Sequence, residues 1–245
     1  MTGEAAAAPN YGNWASKNLL YGLTALAVAL LALSFFSLVL LIGVAVLVAV
    51  IVNLLYQRHE FTSSQQRVWD RVVEHLDWDG KGRAIDVGCG NGPVAIRVAK
   101  KFPNASVVGI DTWGKVWEYS KATCEENAKV EGVGGRVSFQ RASGSKLPFE
   151  DGYFDAAVSN LAFHEIRDVG DKRMVMQEAL RVVRKGGSFS FQDLFNMKRD
   201  YGGGGDELLE VVRSWGVEKV SLIRTDDPSI PKSLGKQIAV VCGVK

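Results

Sequence analysis

The sequence predicts an α/β fold with a doubly wound, mostly parallel sheet of seven strands, preceded by an N-terminal apolar segment. Three observations predict it. A short apolar run ends in a glycine-rich turn, strand and helix patterns alternate after it, and the last two strand patterns have no helix between them. The expected strands are 83–87, 106–110, 136–140, 154–159, 188–194, 219–224 and 237–242. Helical patterns are expected up to residue 101 and over 115–130, 171–184 and 206–215.

The apolar segment covers residues 19–56, and no charged residue lies between Lys17 and Arg58. A single straight helix over this segment would measure about 57 Å at ~1.5 Å per residue, whereas the bilayer hydrocarbon is ~30 Å thick. We therefore expect a transmembrane helical hairpin, with spans near 19–33 and 38–56 and a turn near 34–37. A single tilted or protruding helix is the alternative.

Basic residues flank this segment. Lys17 precedes it and Arg58 follows it, so a hairpin places both on one face of the bilayer. Because basic flanks remain in the cytoplasm, we expect an integral membrane protein in which residues 1–57 form a tail and anchor. Residues 58–245 then form a cytoplasmic domain, and the membrane helices offer a surface for homo-oligomer contacts.

A further helix is expected from Ser63, where Ser63 and Gln66 have the spacing of a capping box. Five apolar residues recur on one face of this helix: Val68, Trp69, Val72, Val73 and Leu76. That face is predicted to pack against the sheet domain and to join it to the apolar segment.

The glycine turn is the feature that points to a ligand. Asp86 to Gly92 has the spacing D-x-G-x-G-x-G, and the next strand pattern ends at Asp111. Strand, glycine turn, helix, strand and acid is the layout of a nucleotide-binding βαβ unit, whose acid accepts hydrogen bonds from ribose. A dinucleotide fingerprint would need a small residue where this chain has Pro93, so the dinucleotide pattern fails.

This run resembles motif I of the class I S-adenosylmethionine (SAM)-dependent methyltransferases. Two further segments resemble the same family. LPFEDGYFDAAVSNLAFHEI (147–166) is similar to the L-P-F-x-D-x-x-F-D segment of its small-molecule branch, and EALRVVRKGGSFSF (178–191) to its helix, glycine turn and following strand. The resemblance covers roughly residues 61–245. It implies a Rossmann-like sheet that binds SAM and releases S-adenosyl-L-homocysteine.

The cofactor-binding residues that the resemblance implies are Asp86, Gly88, Cys89, Gly90, Asp111, Thr112, Trp113, Ser143, Gly144 and Asn160. The backbone of the glycine turn would face the methionine part of SAM. Asp86 would brace the turn or reach the cofactor through water, unless it only shapes the turn. Asp111 would accept hydrogen bonds from the ribose, and Thr112 and Trp113 would flank the adenine, unless Trp113 belongs to the core. The family commonly has an acid beside the adenine, where this chain has Ser143, a neutral and shorter partner.

The catalytic candidates follow the fourth strand. Asn160 ends it and is expected near the methyl group, but its context lacks the prolines of the N-P-P-F-type motif of amino-methylating nucleic-acid enzymes. His164 lies four residues further on, and its ordinary pKa near 6.5 suits a general base. A histidine that only satisfies loop hydrogen bonds is the alternative interpretation. Glu165, Asp193 and Tyr201 are weaker candidates for contacting the substrate.

Composition excludes other classes of function. The net charge is +2 and no basic stripe is visible, so no nucleic-acid partner is expected. The cysteines (Cys89, Cys124 and Cys242) are scattered without a C-x-x-C pair, so no metal site is predicted, and their usage suits a reducing compartment. The glycine run Gly202–Gly205 is expected to be mobile, either as a lid over the substrate or as a plain linker.

Four hypotheses follow for the function. The first is a membrane-anchored methyltransferase acting by in-line displacement on a small, lipophilic acceptor such as a lipid head group, quinone or isoprenoid. The second is a methyltransferase on a soluble small molecule, with the anchor serving location or oligomerisation only. The third is a non-catalytic SAM-binding module, and the fourth is transfer of another part of a SAM-like molecule, such as an aminopropyl group.

Overall fold

The computed structural model describes residues 8–11, 17–33, 38–114 and 119–245, and within the second helix it describes the side chains of 41–56 and 64–74. The helices are α1 Lys17–Leu33, α2 Leu38–Glu74, α3 Pro93–Lys101, α4 Lys121–Val130, α5 Arg173–Arg181, α6 Lys198–Tyr201, α7 Gly205–Ser214 and α8 Lys232–Gly235. The strands are β1 Gly82–Val87, β2 Ala105–Asp111, β3 Val137–Arg141, β4 Phe154–Asn160, β5 Val183–Asp193, β6 Lys219–Arg224 and β7 Ala239–Val244. A 3₁₀ turn spans Phe163–Glu165.

The described strands form one seven-stranded sheet in the order β3-β2-β1-β4-β5-β7-β6. β1 to β5 pair with one another in parallel, while β7 runs antiparallel to both β5 and β6. The order reverses at β1, which pairs with β2 on one side and β4 on the other. The predicted Rossmann-like, doubly wound and mostly parallel sheet is confirmed. Sheets of this kind bind ligands at the carboxyl ends of their parallel strands.

The sheet is covered on both faces, as a parallel sheet requires. Successive residues of a strand point to opposite faces, so Ile85 and Val87 belong to one core cluster while Ala84 belongs to the other. On β5 the first face receives Phe189 and Phe191. The predicted helix face is buried at all five positions, Val68, Trp69, Val72, Val73 and Leu76, and all of these except Val68 belong to the second cluster.

Two predicted boundaries are wrong. No helix begins at Ser63, because α2 runs continuously from Leu38 to Glu74 and residues 57–62 contain neither glycine nor proline to interrupt it. The helix expected to end at residue 184 ends at Arg181, and β5 begins at Val183 instead. Val183 is buried and pairs with Phe154, so burial in the sheet prevails over the helical pattern there. The start of the helix predicted from residue 115 lies outside the described residues.

The chain divides into two compact units. One comprises Arg67–Lys245 with the N-terminal segment that ends at Tyr11, and the other comprises Gly12–Gln66. The second unit carries large apolar side chains that are more than half exposed, among them Leu19, Leu31, Ile42 and Val52.

The predicted transmembrane hairpin is not supported by the described residues, among which no helix is both long and apolar enough to cross a membrane. The expected turn at 34–37 lies outside the described part of the chain. Self-association through these helices stays a prediction.

Candidate active site

The glycine turn joins β1 to α3 at the carboxyl end of the sheet. Gly88 and Gly90 adopt φ values of 77° and 56°, which glycine accommodates without a Cβ penalty. A Cβ on Gly88 would lie 2.2 Å from the Cβ of Ala162, so this glycine lets the loop after β4 approach the turn. A Cβ on Gly90 would meet the ring of Tyr119 at 3.5 Å, which puts that ring against the turn.

Asp111 ends β2 and is bonded directly to the glycine turn. Its carboxylate accepts hydrogen bonds from the backbone N–H of Gly90 at 2.9 Å and of Trp113 at 2.8 Å. The indole N–H of Trp113 in turn donates to the carbonyl of Gly90 at 2.9 Å. Each carboxylate oxygen accepts more than one hydrogen bond, so Asp111 retains acceptor capacity for ribose hydroxyls. Trp113 braces the turn, whereas Thr112 follows Asp111 at the edge of the site.

Asp86 is buried at the end of β1, where it holds the first turn of α3. Its Oδ2 accepts from the N–H of Ala95 at 2.9 Å, and its Oδ1 has no hydrogen-bond partner among the described residues. Burial raises the pKa of Asp86 to about 7; the Ala95 N–H opposes this rise and the charge of Asp111 adds to it. A buried acceptor without a donor is costly, so this oxygen fits a donor such as the α-ammonium group of SAM or a bridging water.

Ser143, which the resemblance places beside the adenine, is bonded to an acid that the sequence pattern did not identify. The hydroxyl of Ser143 donates to Oδ2 of Asp168 at 2.8 Å, and the hydroxyl of Ser145 donates to the same oxygen at 2.5 Å. These two hydrogen bonds hold the pKa of Asp168 below its usual value. Asp168 thus places a carboxylate within hydrogen-bond distance of Ser143, the position at which the family commonly has an acid.

Gly144, next to Ser143, allows the chain to pack closely at this position. A Cβ there would lie 2.7 Å from Cδ1 of Ile166 and 2.9 Å from Cγ1 of Val87. Only a glycine lets the loop after β3 lie this close to the end of β1 and to the segment that leads into Asp168.

On the acceptor side, Asn160 is held by a buried polar network. The amide of Gln192 donates to Oδ1 of Asn160 and to the carbonyl of Val68, each at 2.8 Å. Oε1 of Gln192 accepts from Nε of Arg71 at 3.2 Å. Arg71 is buried, and burial lowers the pKa of its guanidinium. The orientation of Asn160 is therefore fixed by residues of β5 and α2.

His164 lies on the 3₁₀ turn after β4 and is paired with Asp193. Its Nδ1 is 2.5 Å from Oδ1 of Asp193, a carboxylate that is fully buried at the end of β5. Asp193 also accepts backbone N–H bonds from Phe163 at 2.8 Å and Leu194 at 2.6 Å. Burial lowers the pKa of His164, but the hydrogen bond and charge of Asp193, with Glu165, outweigh it and raise the pKa above its ordinary value.

This pair favours one tautomer of the histidine. With a proton on Nδ1 shared with Asp193, Nε2 carries the lone pair and is the basic atom. Nε2 lies 3.5 Å from the exposed carboxylate of Glu165. Because Asp193 and Gln192 are consecutive residues of β5, the end of that strand positions both His164 and Asn160.

The segment 196–205, which the sequence predicts to be a loop that holds the glycine run Gly202–Gly205, has helical structure at residues 198–201. It contains α6, and Tyr201 at the end of α6 is buried against Phe195 with ring centroids 4.8 Å apart. The hydroxyl of Tyr201 has no hydrogen-bond partner among the described residues, and burial and the charge of Asp193 raise its pKa. A lid function for this segment stays a prediction.

Comparison with known proteins shows which proteins this part of the chain is similar to. Residues 85–191 match the family profile described as a methyltransferase domain. Among curated relatives, the ubiquinone/menaquinone biosynthesis C-methyltransferase UbiE of Citrifermentans bemidjiense is 33% identical over 123 residues, which cover 49% of each chain. The 27-O-demethylrifamycin SV methyltransferase of Amycolatopsis mediterranei is 30% identical over 161 residues, covering 66% of this chain and 56% of the relative. The chain thus spans about half the length of the curated relatives it matches.

Solved structures share the fold. The 4+2 cyclase SpnF superposes with a TM-score of 0.59 at 21% identity, covering 76% of this chain and 83% of SpnF. A geranyl diphosphate methyltransferase in complex with SAM gives a TM-score of 0.54 at 16% identity, covering 78% of this chain and 88% of that one. One fold therefore carries both a cyclase and a methyltransferase, and the reaction of this chain has to be argued from its site.

Proposed function

We propose that the protein is a class I SAM-dependent methyltransferase that transfers a methyl group from SAM to a hydroxyl group of a small, lipophilic acceptor, since residues 85–191 match a methyltransferase-domain profile. The observation that carries this proposal is the His164–Asp193 pair, with its 2.5 Å contact at the carboxyl end of the sheet. A histidine oriented by a buried carboxylate is the arrangement of a general base.

When bound, SAM supplies an activated methyl group on its sulfonium. Asp86, the glycine turn and Asp111 would hold its methionine and ribose parts, and Ser143 with Asp168 would lie beside its adenine. These residues fit the cofactor because they combine an unpartnered buried acceptor with a turn that carries no side chain at Gly88 or Gly90. In-line transfer of this methyl group to the acceptor oxygen would leave S-adenosyl-L-homocysteine.

In this mechanism Nε2 of His164 takes the proton of the acceptor hydroxyl as the new O–C bond forms and the S–C bond breaks. Asp193 keeps the Nδ1 proton in place and stabilises the imidazolium that results. Asn160, held by Gln192, orients the acceptor. Because the methyl group arrives already activated, this displacement needs only that His164 and Asn160 be positioned and that water be excluded.

Two observations support a lipophilic acceptor. The relatives include proteins named for ubiquinone/menaquinone biosynthesis and for a rifamycin, and one matched structure is a geranyl diphosphate methyltransferase. The chain itself carries an apolar unit, Gly12–Gln66, next in sequence to the methyltransferase domain. The alternative of a soluble acceptor is the one that the experiment below has to exclude.

Attachment to the cytoplasmic face of a membrane is a separate proposal. It is supported by the exposed apolar side chains of α1 and α2, such as Leu19 and Ile42, and by the basic residues Lys17 and Arg58 that flank them in sequence. The full chain is expected to sediment with membranes and to resist extraction by salt. Recovery of all the protein in the supernatant without detergent would overturn this proposal.

The third hypothesis, a non-catalytic SAM-binding module, loses its support. It rests on Ser143 standing where an acid is common, and Asp168 supplies that carboxylate through the serine hydroxyl. Detection of methyl transfer to any acceptor eliminates it.

The function is tested with the full chain in detergent, SAM carrying a tritiated methyl group, and hydroquinones with and without a long alkyl chain. We expect transfer to the alkylated hydroquinone, and a loss of turnover of about 10²–10⁴-fold in His164→Gln with binding of S-adenosyl-L-homocysteine unchanged. Glu165→Gln is the matched control, because this exposed neighbour is 3.5 Å from Nε2 and is expected to change turnover by less than about threefold. Equal turnover of His164→Gln and wild type would refute the assigned base. Faster transfer to the short hydroquinone would favour the soluble acceptor.

A further inference from the structure

The N-terminal segment is bonded to the residues that flank the cofactor turn. The backbone N–H of Asn10 donates to Oδ1 of Asn127 at 2.8 Å. Its carbonyl accepts from Nδ2 of Asn127 at 2.9 Å and from Nδ2 of Asn91 at 3.3 Å. Asn91 is the residue between Gly90 and Gly92 of the turn, and Asn127 belongs to α4.

The side chains of Asn91 and Asn127 are both buried, and their hydrogen bonds to Asn10 support the glycine turn. Asn91 and Asn127 are 1% and 2% exposed. Nδ2 of Asn127 also donates to the carbonyl of Asn91 at 2.9 Å, and Oδ1 of Asn91 accepts from the N–H of Ser120 at 3.1 Å. Removing the backbone of Asn10 would leave two buried amides incompletely bonded, and the peptide next to Gly90 would lose part of its support.

Tyr11 anchors the segment to the same unit. Its hydroxyl donates to Oε1 of Glu131 at 2.6 Å, and its ring packs edge-to-face on Trp69 with centroids 5.4 Å apart. The guanidinium of Arg97 lies over both rings, 5.7 Å from the centroid of Tyr11 and 4.8 Å from that of Trp69. Burial, the hydrogen bond to Glu131 and the charge of Glu131 raise the pKa of the Tyr11 phenol, so it stays a donor over the whole working pH range.

We propose that Asn10 and Tyr11 form an N-terminal clasp that holds the glycine turn in its cofactor-binding shape, and that they are positioning residues for SAM. Gly90 carries the N–H that Asp111 accepts and the carbonyl that Trp113 contacts, so displacement of the adjacent Asn91 reaches both groups. The inference rests on cofactor binding at this turn and is independent of the acceptor.

Positioning differs from mere packing in one measurable respect. If the clasp and the cofactor favour the same shape of the turn, each must strengthen the binding of the other by the same factor. A segment that only adds packing would lower the unfolding temperature on mutation and leave cofactor affinity unchanged.

The test uses the full chain in detergent, calorimetry with S-adenosyl-L-homocysteine, and two substitutions at one position. Asn10→Pro removes the N–H that bonds Asn127, whereas Asn10→Ala keeps the backbone donor and acceptor. We expect Asn10→Pro to weaken binding by about tenfold or more and Asn10→Ala to weaken it by less than about threefold. If Asn10→Pro does not fold, Tyr11→Ala is used in its place. Its control is Tyr11→Phe, since phenylalanine keeps the ring contact with Trp69.

A second readout needs no substitution. In the wild type, the amide hydrogen of Asn10 is expected to exchange with solvent at least about threefold more slowly when S-adenosyl-L-homocysteine is bound. Unchanged exchange, or equal affinity in Asn10→Pro and Asn10→Ala, would overturn the clasp. Asp111→Ala separates this failure from failure of the cofactor site: if it binds as tightly as the wild type, the site is misassigned, whatever Asn10 does.

Discussion

The cofactor side and the acceptor side of the site are built from different kinds of groups. Around the glycine turn most contacts are made by the main chain, with Asp111 receiving two backbone N–H groups. At the ends of β4 and β5 the contacts join side chains, with Asp193 on His164 and Gln192 on Asn160. The proposed roles therefore predict that affinity for the cofactor depends on the shape of the backbone, whereas reactivity depends on the ionisation of the His164–Asp193 pair.

The strongest way to sharpen this contrast is Asp193→Asn. It leaves the main-chain contacts of the cofactor turn intact but removes the charge that orients His164 and raises its pKa. Turnover is expected to fall by about 10²–10⁴-fold while the affinity for S-adenosyl-L-homocysteine stays within about twofold. In the wild type the rate should rise with pH through a pKa above ~6.5, because the neutral imidazole is the active form.

The same variant should lower the midpoint of that pH profile, since the raised pKa depends on the carboxylate. Steady-state rates of the wild type and Asp193→Asn between about pH 5 and 9 check this shift. A profile whose midpoint does not move between the two proteins would contradict the assigned role of Asp193.

Asp111→Ala tests the cofactor side and is expected to give the next largest effect. The substitution removes an acceptor for the ribose and releases the N–H groups of Gly90 and Trp113. Affinity for S-adenosyl-L-homocysteine should fall by roughly 10–100-fold, because hydrogen bonds to a charged group are each worth ~1.5–3 kcal/mol. The rate at saturating SAM should change little, and a variant that loses rate but not affinity would argue against the division between the two sides.

Asp86 tests the distinction between the two sides of the site, because this residue of the cofactor side changes its protonation state with pH. Its pKa in the folded protein is raised to about 7, so between about pH 4 and 7 the folded state holds a proton that the unfolded state has released. Stability should therefore fall as pH rises through that window, by roughly 2–4 kcal/mol from this group. The contribution of Asp86 is measured by comparing the free energies of unfolding of the wild type and Asp86→Asn in denaturant at pH 5 and 8. An equal pH dependence in the two proteins would show that Asp86 is not protonated on folding.

Ser143→Ala should give the smallest effect. The hydroxyl donates to Asp168, which Ser145 also bonds, so one hydrogen bond to an exposed carboxylate is lost and another remains. We expect cofactor affinity to fall by about two- to fivefold. Calorimetry with S-adenosyl-L-homocysteine measures it, with Asp168→Asn as the stronger companion; a larger loss in Ser143→Ala than in Asp168→Asn would reverse the assignment of the acid.

The features that the sequence predicted correctly are those that depend on residues close together in the sequence. The glycine turn, Asp111 and the alternation of strands and helices depend on spacing within about 25 residues, and the structure places them as expected. Asp168 could not be found in this way, because it reaches Ser143 from a different loop through tertiary contact. Asn10 contributes backbone atoms, so no side-chain pattern marks it.

The weakest prediction concerned the apolar segment, where composition was taken as evidence of a transmembrane span. Apolarity measures the tendency to leave water, and it does not by itself specify whether a helix crosses a bilayer or rests on another apolar surface. Among the described residues no helix is both long and apolar enough to cross a membrane, and composition alone does not convey that.

The contact between Tyr11 and Trp69 has a practical consequence for protein design. The chain leaves the methyltransferase unit after Tyr11 and re-enters it at Arg67, and the rings of Tyr11 and Trp69 touch. Gly12–Gln66 is thus an insertion whose two junctions are neighbours, like the sites at which domains are grafted into one another. A short glycine-serine bridge in its place would keep the chain continuous and give crystallographers a smaller enzyme.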